Sequence, residues 1–298
     1  MFYIDIDSST IKVYSYKEKL ELLEDNPIYF KNGFTKDRGI TSDNLSELYS
    51  YFKLIKTEYG LDFVNTKIYV RGIFRSLLKE QQNEIIAAFN EKFNLCFNII
   101  SQGLETYYLE KAMNNDYNNK KVMIINEGEK TTEIVVFKNK EIIDQKKINA
   151  GVIEILNRFE KINEEYALVK IEEVYNYALD FLKDVELDND YDCAILTGGE
   201  ERFAKLVKFN MVQNTLFTDG IHEYMLSYQD YIDGCNKIFY QMTMNDLYSL
   251  MPQNPKWMEG ARAGAILPLA IFTKAKINMI VPSDLNLIHG VINDLNEE

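Results

Sequence analysis

Two segments half a chain apart share a pattern that could hold an anion. The first is Phe2-Tyr-Ile-Asp-Ile-Asp-Ser-Ser-Thr-Ile-Lys-Val-Tyr14 and the second is Val122-Met-Ile-Ile-Asn-Glu-Gly-Glu-Lys-Thr-Thr-Glu-Ile-Val-Val136. In each, an apolar strand ends on Asp or Asn, a polar turn with Ser or Thr hydroxyls follows, and a second strand begins. Hydroxyls and backbone amides in such turns suit phosphate oxygens, although an ordinary surface hairpin has the same composition. Asp5 is the most strongly marked residue. It lies among Tyr3, Ile4 and Ile6, where a carboxylate is costly unless it is bound to a cation or hydrogen-bonded. Hydrolysis of a terminal phosphate would need a base for the water's proton, cations for the developing charge, and donors for the oxygens.

Other residues carry weaker signals. Glu105 falls in the first turn of an expected helix, where a carboxylate is favourable to the helix dipole whatever else it does. Glu133 reads by itself as an exposed strand residue next to apolar Ile134. Arg202, Lys205 and Lys208 recur every third residue after Thr197-Gly-Gly and so share one helix face. They could bind a polyanion locally, though a solvated face is the commoner meaning of such a run.

Composition narrows the classes. A formal charge of −13 opposes nonspecific attraction to nucleic acid or to anionic membranes, so neither is an expected partner. Cys96, Cys193 and Cys235 lack any C-x-x-C spacing and read as free thiols of a reducing compartment. Two histidines, His222 and His289, make a His/Cys zinc site improbable. The chain enters a strand directly, and no run reaches the ~18 apolar residues of a membrane span. The expectation is a cytoplasmic protein.

The elements that must position these residues form two similar series. Strands are expected over 2–7, 10–17, 26–31, 67–70 and 96–100, with helices over 42–59, 79–93 and 105–113. A polar break at 114–120 follows. Strands then recur over 122–126, 132–137, 141–147 and 193–196, with helices over 151–159 and 171–182. Beyond Gly220 the pattern is mostly helical, over 228–240, 243–250 and 258–274, before a strand at 277–281 and a closing helix over 283–295. At 298 residues two domains are the default, and the repeated order β-β-β-α-β-α implies a duplication. The expected domains are 1–119 and 120–298.

Several segments, in order, resemble the exopolyphosphatase and guanosine pentaphosphate phosphohydrolase (Ppx/GppA) family. Ile4-Asp-Ile-Asp-Ser-Ser-Thr-Ile-Lys-Val13 is similar to its D-[IL]-G-S-N-S-x-R-L turn. Ile100-Ser-Gln-Gly-Leu-Glu-Thr-Tyr-Tyr-Leu109 is similar to I-S-G-x-E-E-A-x-L with one insertion, and Asn126-Glu-Gly-Glu-Lys-Thr-Thr-Glu133 to D-I-G-G-G-S-T-E. Ile148 to Leu156 resembles L-P-L-G-A-V-R-L, and Leu196-Thr-Gly-Gly-Glu200 resembles G-T-G-G-T. Arg262-Ala-Gly-Ala-Ile-Leu-Pro268, Ile277 to Val281, Ser283 and His289-Gly-Val-Ile-Asn-Asp-Leu295 follow the family's C-terminal R-A-D-x-I-L-P-G helix, strand, Ser and x-E-G-x-L-x-D-L helix.

The resemblance implies an α/β fold of two ribonuclease H-like (actin-like ATPase) domains with an interdomain phosphate-binding cleft. It implies catalytic roles for Glu105, as the base, and Glu133. It places Asp5, Asn126 and Glu133 around Mg²⁺ or Mn²⁺. Ser8, Ser9, Lys12, Arg75, Gly128, Thr131, Thr132, Gly198, Gly199 and Arg262 would hold the terminal phosphate of polyphosphate or guanosine pentaphosphate. A homodimer accords with the same resemblance.

The chain departs from the pattern at its turns. Asn126 stands in place of Asp, Glu129 and Lys130 in place of glycines, Asp7 in place of Gly, and Thr106 in place of the second Glu. Val70-Arg-Gly-Ile-Phe74 has lost the Thr and Ser of the family's A-T-S-A-L element before Arg75. Asn removes a hard-oxygen ligand, and bulky acids where glycines let amides approach a phosphate would narrow or repel. Asp7 could supply the missing carboxylate, or Lys130 could replace the metal. Three functions follow: a phosphoanhydride hydrolase of reduced activity, a catalytically inactive phosphate- or nucleotide-binding regulator, and an ATP-using member of the wider superfamily.

Overall fold

Period-two alternation in the first residues sends Ile4 and Ile6 to one face of a strand and Tyr3 and Asp5 to the other. In the computed structural model, which describes residues 1–113, 115 and 117–297, that strand is β1 (Phe2–Ile6). It forms an antiparallel meander with β2 (Ile11–Tyr16) and β3 (Leu20–Asn26). Helix α1 (Ser42–Tyr59), started by the Thr41 hydroxyl accepting from the Asn44 N–H, returns the chain so that β4 (Thr66–Val70) pairs parallel to β1. Helix α2 (Lys79–Phe93) does the same for β5 (Phe97–Ile99), and α3 (Gln102–Met113) follows. The sheet order is β3-β2-β1-β4-β5. The third strand lies earlier than the expected 26–31, because Pro27 has no N–H for a ladder.

The second unit repeats this topology. Strands β6 (Val122–Glu127), β7 (Thr132–Lys138) and β8 (Glu141–Ile148) form the meander. Helices α4 (Val152–Arg158) and α5 (Ile171–Asp180) lead to β9 (Cys193–Thr197), parallel to β6. After α6 (Glu200–Val207) come β10 (Val212–Gln213), β11 (Tyr224–Ser227), α7 (Tyr228–Tyr240) and α8 (Met244–Leu250). Helices α9 (Ala261–Gly264) and α10 (Ile266–Lys274) precede β12 (Met279–Pro282), parallel to β9. Within the sheet β10-β11-β12-β9-β6-β7-β8, the run β8-β7-β6-β9-β12 matches the first sheet in order and direction, as a duplication requires. The short strands β10 and β11 were not expected, and the helix expected over 258–274 is broken into a 3₁₀ turn (Pro255–Gly260), α9 and α10.

Each unit has its own core. In the first, Ile4, Ile6, Val13 and Val70 pack with Phe52, Ile55, Phe89 and Phe93 of α1 and α2. In the second, Met123, Ile125, Ile134 and Leu196 pack with Val174, Phe203, Ile266 and Ala270 of the helices. The closing helix α11 (Leu287–Glu297) belongs to the first unit and not, as expected, to the second. Its Leu287, Ile288, Val291 and Ile292 cover Tyr3, Tyr14, Tyr69 and Ile100, the face of the first sheet that α1 and α2 leave open. A Cβ at Gly290 would sit 1.6 Å from the Tyr108 carbonyl oxygen, so glycine lets α11 reach α3. The first unit runs to Ala112, at the end of α3, where the expectation placed the boundary at 119. No described helix is long and apolar enough to cross a membrane.

Arg262 corrects another expectation. It is fully buried in α9, and its five N–H groups donate to backbone carbonyls. Nε reaches Ile238 at 2.9 Å, Nη1 reaches Ile162 at 2.7 Å and Glu164 at 2.9 Å, and Nη2 reaches Met242 at 2.8 Å and Glu165 at 3.3 Å. No donor remains for phosphate; the side chain ties the 162–165 segment and the C-terminal end of α7 to α9. Arg262→Met is expected to lower the unfolding free energy by roughly 3 kcal/mol or more, because five carbonyls lose their donor and each buried acceptor left unsatisfied costs about 1–3 kcal/mol. Urea denaturation measures it, and a loss below about 1 kcal/mol would contradict the strut role.

Candidate active site

The parallel register of β1 and β4 builds the site. Asp5 lies opposite Tyr69 and Ile6 opposite Val70, and the Arg71 N–H continues the ladder to the Ile6 carbonyl at 2.9 Å. Side chains two apart share a face, so Arg71 leaves β4 on the face of Tyr69 and Asp5. Its guanidinium meets Asp5 as a fork, Nε to Oδ1 at 2.9 Å and Nη2 to Oδ2 at 3.1 Å. Nη1 donates to Glu105 Oε1 at 2.9 Å and stands 3.0 Å from Asp7 Oδ2. Arg75, in the 3₁₀ turn Gly72–Ser76, binds the other Glu105 oxygen and donates to Gln102 Oε1 at 2.7 Å. The Asp5 and Glu105 side chains are 3 % and 8 % exposed, so each needs these partners.

The turn between β1 and β2 is closed against the same point. Asp7 Oδ1 accepts from the Ser8 N–H at 2.7 Å, and Ser8 Oγ accepts from the Ile73 N–H at 3.0 Å. Gly72 has φ +64°, and a Cβ there would lie 2.3 Å from Ser8 Oγ and 2.4 Å from Asp7 Oδ1. Only glycine allows that approach. Burial pushes the Asp7 carboxyl up, but Arg71, the Ser8 N–H, Lys12 and Arg75 outweigh it and hold the group below the usual aspartate range. Burial works against the Arg71 charge, yet Asp5, Asp7 and Glu105 more than restore it.

The structure thus brings together Asp5, Ser8, Arg75 and Glu105, with Lys12 as the cross-strand neighbour of Asp5. The residue that joins them, Arg71, was not among the expected site residues. The signal was Asp5 itself, a buried carboxylate that required a cation or hydrogen-bond donors; Arg71 directly follows the neighbouring parallel strand. Asp5 is therefore bound by an arginine where a metal was expected, and Asp7 is held by Arg71 and Ser8 rather than offered as a spare metal ligand.

In the second unit the corresponding turn is filled by its own chain. The Gly128 N–H donates to the Thr131 carbonyl at 2.8 Å, and the Gly128 and Glu129 carbonyls accept from the Val152 and Ile153 N–H groups of α4 at 3.3 and 2.9 Å. Thr132 is fully buried and its hydroxyl donates to the Ala150 carbonyl at 2.9 Å. The fold therefore uses the Gly128 amide and the Thr132 hydroxyl itself, against the expectation that they hold phosphate. Asn126 pairs across the ladder with Glu133 and takes a 3.4 Å bond from the Thr197 hydroxyl. Gly198 and Gly199, at φ +112° and +103°, make the turn into α6; Ser9 and Thr131 are partly exposed. Lys205 of the basic face is paired with Glu201.

These residues do not fit the expected metal. Both Asp5 oxygens are in a guanidinium fork and Asn126 is uncharged, which leaves Glu133 as the remaining carboxylate of that set. Among the described residues no three His, Cys, Asp or Glu side chains converge where an ion could sit.

Two further groups escaped the sequence reading. Glu127 ends β6 on the face of Ile125, and its Oε1 is buried with no hydrogen-bond partner. Burial and then Glu200 push its carboxyl well above the usual range, while burial and then Asp284 push Glu200 up to about 8. In sequence both look like solvated acids. Asp219, His222 and Ser283 form a hydrolase-like chain, with His222 Nδ1 facing Asp219 and Nε2 meeting Ser283 Oγ at 2.8 Å. Ser283 is fully buried, and its Oγ also accepts from the Leu285 N–H at 3.2 Å.

No protein-family model matches the sequence, and no curated protein does. The fold is nevertheless shared with solved structures. A Ppx/GppA family member from Aquifex aeolicus superposes with a TM-score of 0.72 at 16 % identity, covering 100 % of this chain and 98 % of that one. The Aquifex aeolicus Ppx/GppA phosphatase in its type II variant gives 0.71 at 15 %, covering 98 % of each. An exopolyphosphatase from Cytophaga hutchinsonii gives 0.71 at 14 %, covering 99 % and 97 %. At these identities the likeness establishes the α/β fold.

Two outcomes follow. The folded Glu200 carboxyl keeps its proton between its ordinary value of 4.5 and about 8, where the unfolded chain has lost it. Stability is therefore lost as pH rises through that window, and Glu200→Gln is expected to flatten the decline in chemical denaturation at pH 5, 6.5 and 8. A decline unchanged by the substitution would contradict the assignment. The sealed Ser283 is expected to resist a fluorophosphonate probe in the native protein; labelling at Ser283, read by mass spectrometry, would show it to be an accessible nucleophile.

Proposed function

We propose that this protein is a phosphoanhydride hydrolase that releases the terminal phosphate of polyphosphate or guanosine pentaphosphate. The observation that carries the reading is Glu105, buried at the start of α3 and held from both sides by Arg71 and Arg75. Each Glu105 oxygen accepts one N–H and keeps a second lone pair, so an oriented carboxylate can take the proton of an attacking water. Arg75 spends two of its five N–H groups on Glu105 and Gln102; the others can meet phosphate oxygens. Ser8 Oγ, which accepts from Ile73, retains its own proton to donate, and Ser9 and Lys12 flank it.

Likeness of fold to proteins described as Ppx/GppA phosphatases and an exopolyphosphatase supports this reading. The two substrates share a terminal phosphoanhydride, which is all that this cluster would contact. No step is assigned to Mg²⁺ or Mn²⁺, because Asp5 is engaged by Arg71 and Asn126 brings no charge. A reducing cytoplasm suits the three free thiols, and a homodimer belongs to the same proposal. One observation favours a second reading: the cluster satisfies its charges internally, as in a binding protein that has lost the reaction.

Phosphate release from each substrate, with and without divalent metal, tests the proposal. Wild type is expected to turn over, with kcat in Glu105→Gln lower by about 100-fold or more, the usual worth of a general base. An inactive wild type that is stabilised by a substrate would replace the hydrolase reading with the binding one.

A further inference from the structure

Three carboxylates from three segments converge on one guanidinium. Asp5 comes from β1, Asp7 from the turn after it and Glu105 from α3, and all three contact Arg71. Asp and Glu oxygens are the donors that a hard divalent cation takes, but with the guanidinium between them these three do not close to a site that could hold an ion. We propose that Arg71 is the resident cation of this site: its guanidinium occupies the place among Asp5, Asp7 and Glu105 that a divalent metal would need, so the site holds its anion without one. The inference concerns the site of the proposed hydrolase and takes its functional meaning from that reading.

The attachment of Arg71 makes the arrangement durable. Its backbone N–H is fixed in the sheet on Ile6, and the next residue, Gly72, is closed against Ser8 and Asp7. To vacate the position the side chain would have to break the Asp5 fork and two further contacts at once. A tethered cation competes for the three carboxylates intramolecularly, whatever the concentration of free ions. It also brings one charge rather than two. Arg75 and Lys12 supply the remainder, so that Asp5, Asp7 and Glu105 face Arg71, Arg75 and Lys12 as three charges against three.

The test is Mn²⁺ binding, followed by electron paramagnetic resonance on full-length protein stripped with EDTA and desalted. Wild type is expected to bind no Mn²⁺ at this site more tightly than about 1 mM, far from the affinity of a committed metal site. Arg71→Ala is expected to melt about 5–10 °C lower in EDTA, to recover with millimolar Mn²⁺, and to bind one Mn²⁺ that Asp5→Asn added to it abolishes. Mn²⁺ bound by wild type below that limit and lost in Asp5→Asn would overturn the proposal, as would an Arg71→Ala protein that folds but neither binds nor responds to Mn²⁺. If Arg71→Ala does not fold, the wild-type titration decides alone. None of these readouts requires turnover, so a chain that hydrolyses nothing would remove the hydrolase reading and leave the cation assignment to be decided by Mn²⁺. Where turnover is found, EDTA is expected to change it by less than twofold.

Discussion

The first unit depends on one guanidinium bound by three acids. Arg71 joins β1, the turn after it, β4 and α3, which are far apart in sequence and adjacent only when the parallel pairing is in register. Taking Arg71 away would leave the Asp5 carboxylate buried without its cation, at a cost of roughly 3–5 kcal/mol. The requirement is mutual. Asp5 and Glu105 are buried because Arg71 is there, and Gly72 must be glycine because the turn that follows Arg71 closes on Ser8. The charge network therefore selects the same register as the apolar side chains on the opposite face.

The second unit has the same strand order but solves the equivalent turn differently. Its carbonyls feed the first N–H groups of α4, and its buried threonine bonds within the loop. A Cβ at Gly151 would lie 2.2 Å from the Gly128 carbonyl, which shows how closely the turn is seated. Polar chemistry moves instead to the helix side of the sheet. There Glu127 and Glu200 hold raised carboxyls, and Arg262 gathers five carbonyls. Duplicated topology thus supports two unlike environments, one balanced by fixed charges and one saturated by backbone. The buried His222 chain likewise fastens the loop before β11 to the end of β12, with every polar atom of the serine engaged.

Sequence by itself determined the elements and their duplication, because apolar period and turn chemistry are local: α1 and α2 span the residues expected of them, and both sheets carry the repeated strand order. It also showed that Asp5 needed a cation or hydrogen-bond donors, since an unpartnered acid inside an apolar strand is costly to bury. Only tertiary structure decided which cation. Arg71 reads in sequence like any arginine at a strand end, and Arg262 like a candidate for phosphate, yet one meets three carboxylates and the other five carbonyls. Nor does the apolar pattern of α11 say which sheet it covers; that was settled by the tyrosine face of the first sheet, the complementary surface left open. The physical reason is the same in each case. Propensity and pattern act over a few residues, whereas the partner of a charge or of an apolar face is fixed by strand register and chain return, which join residues some 30 to 290 positions apart.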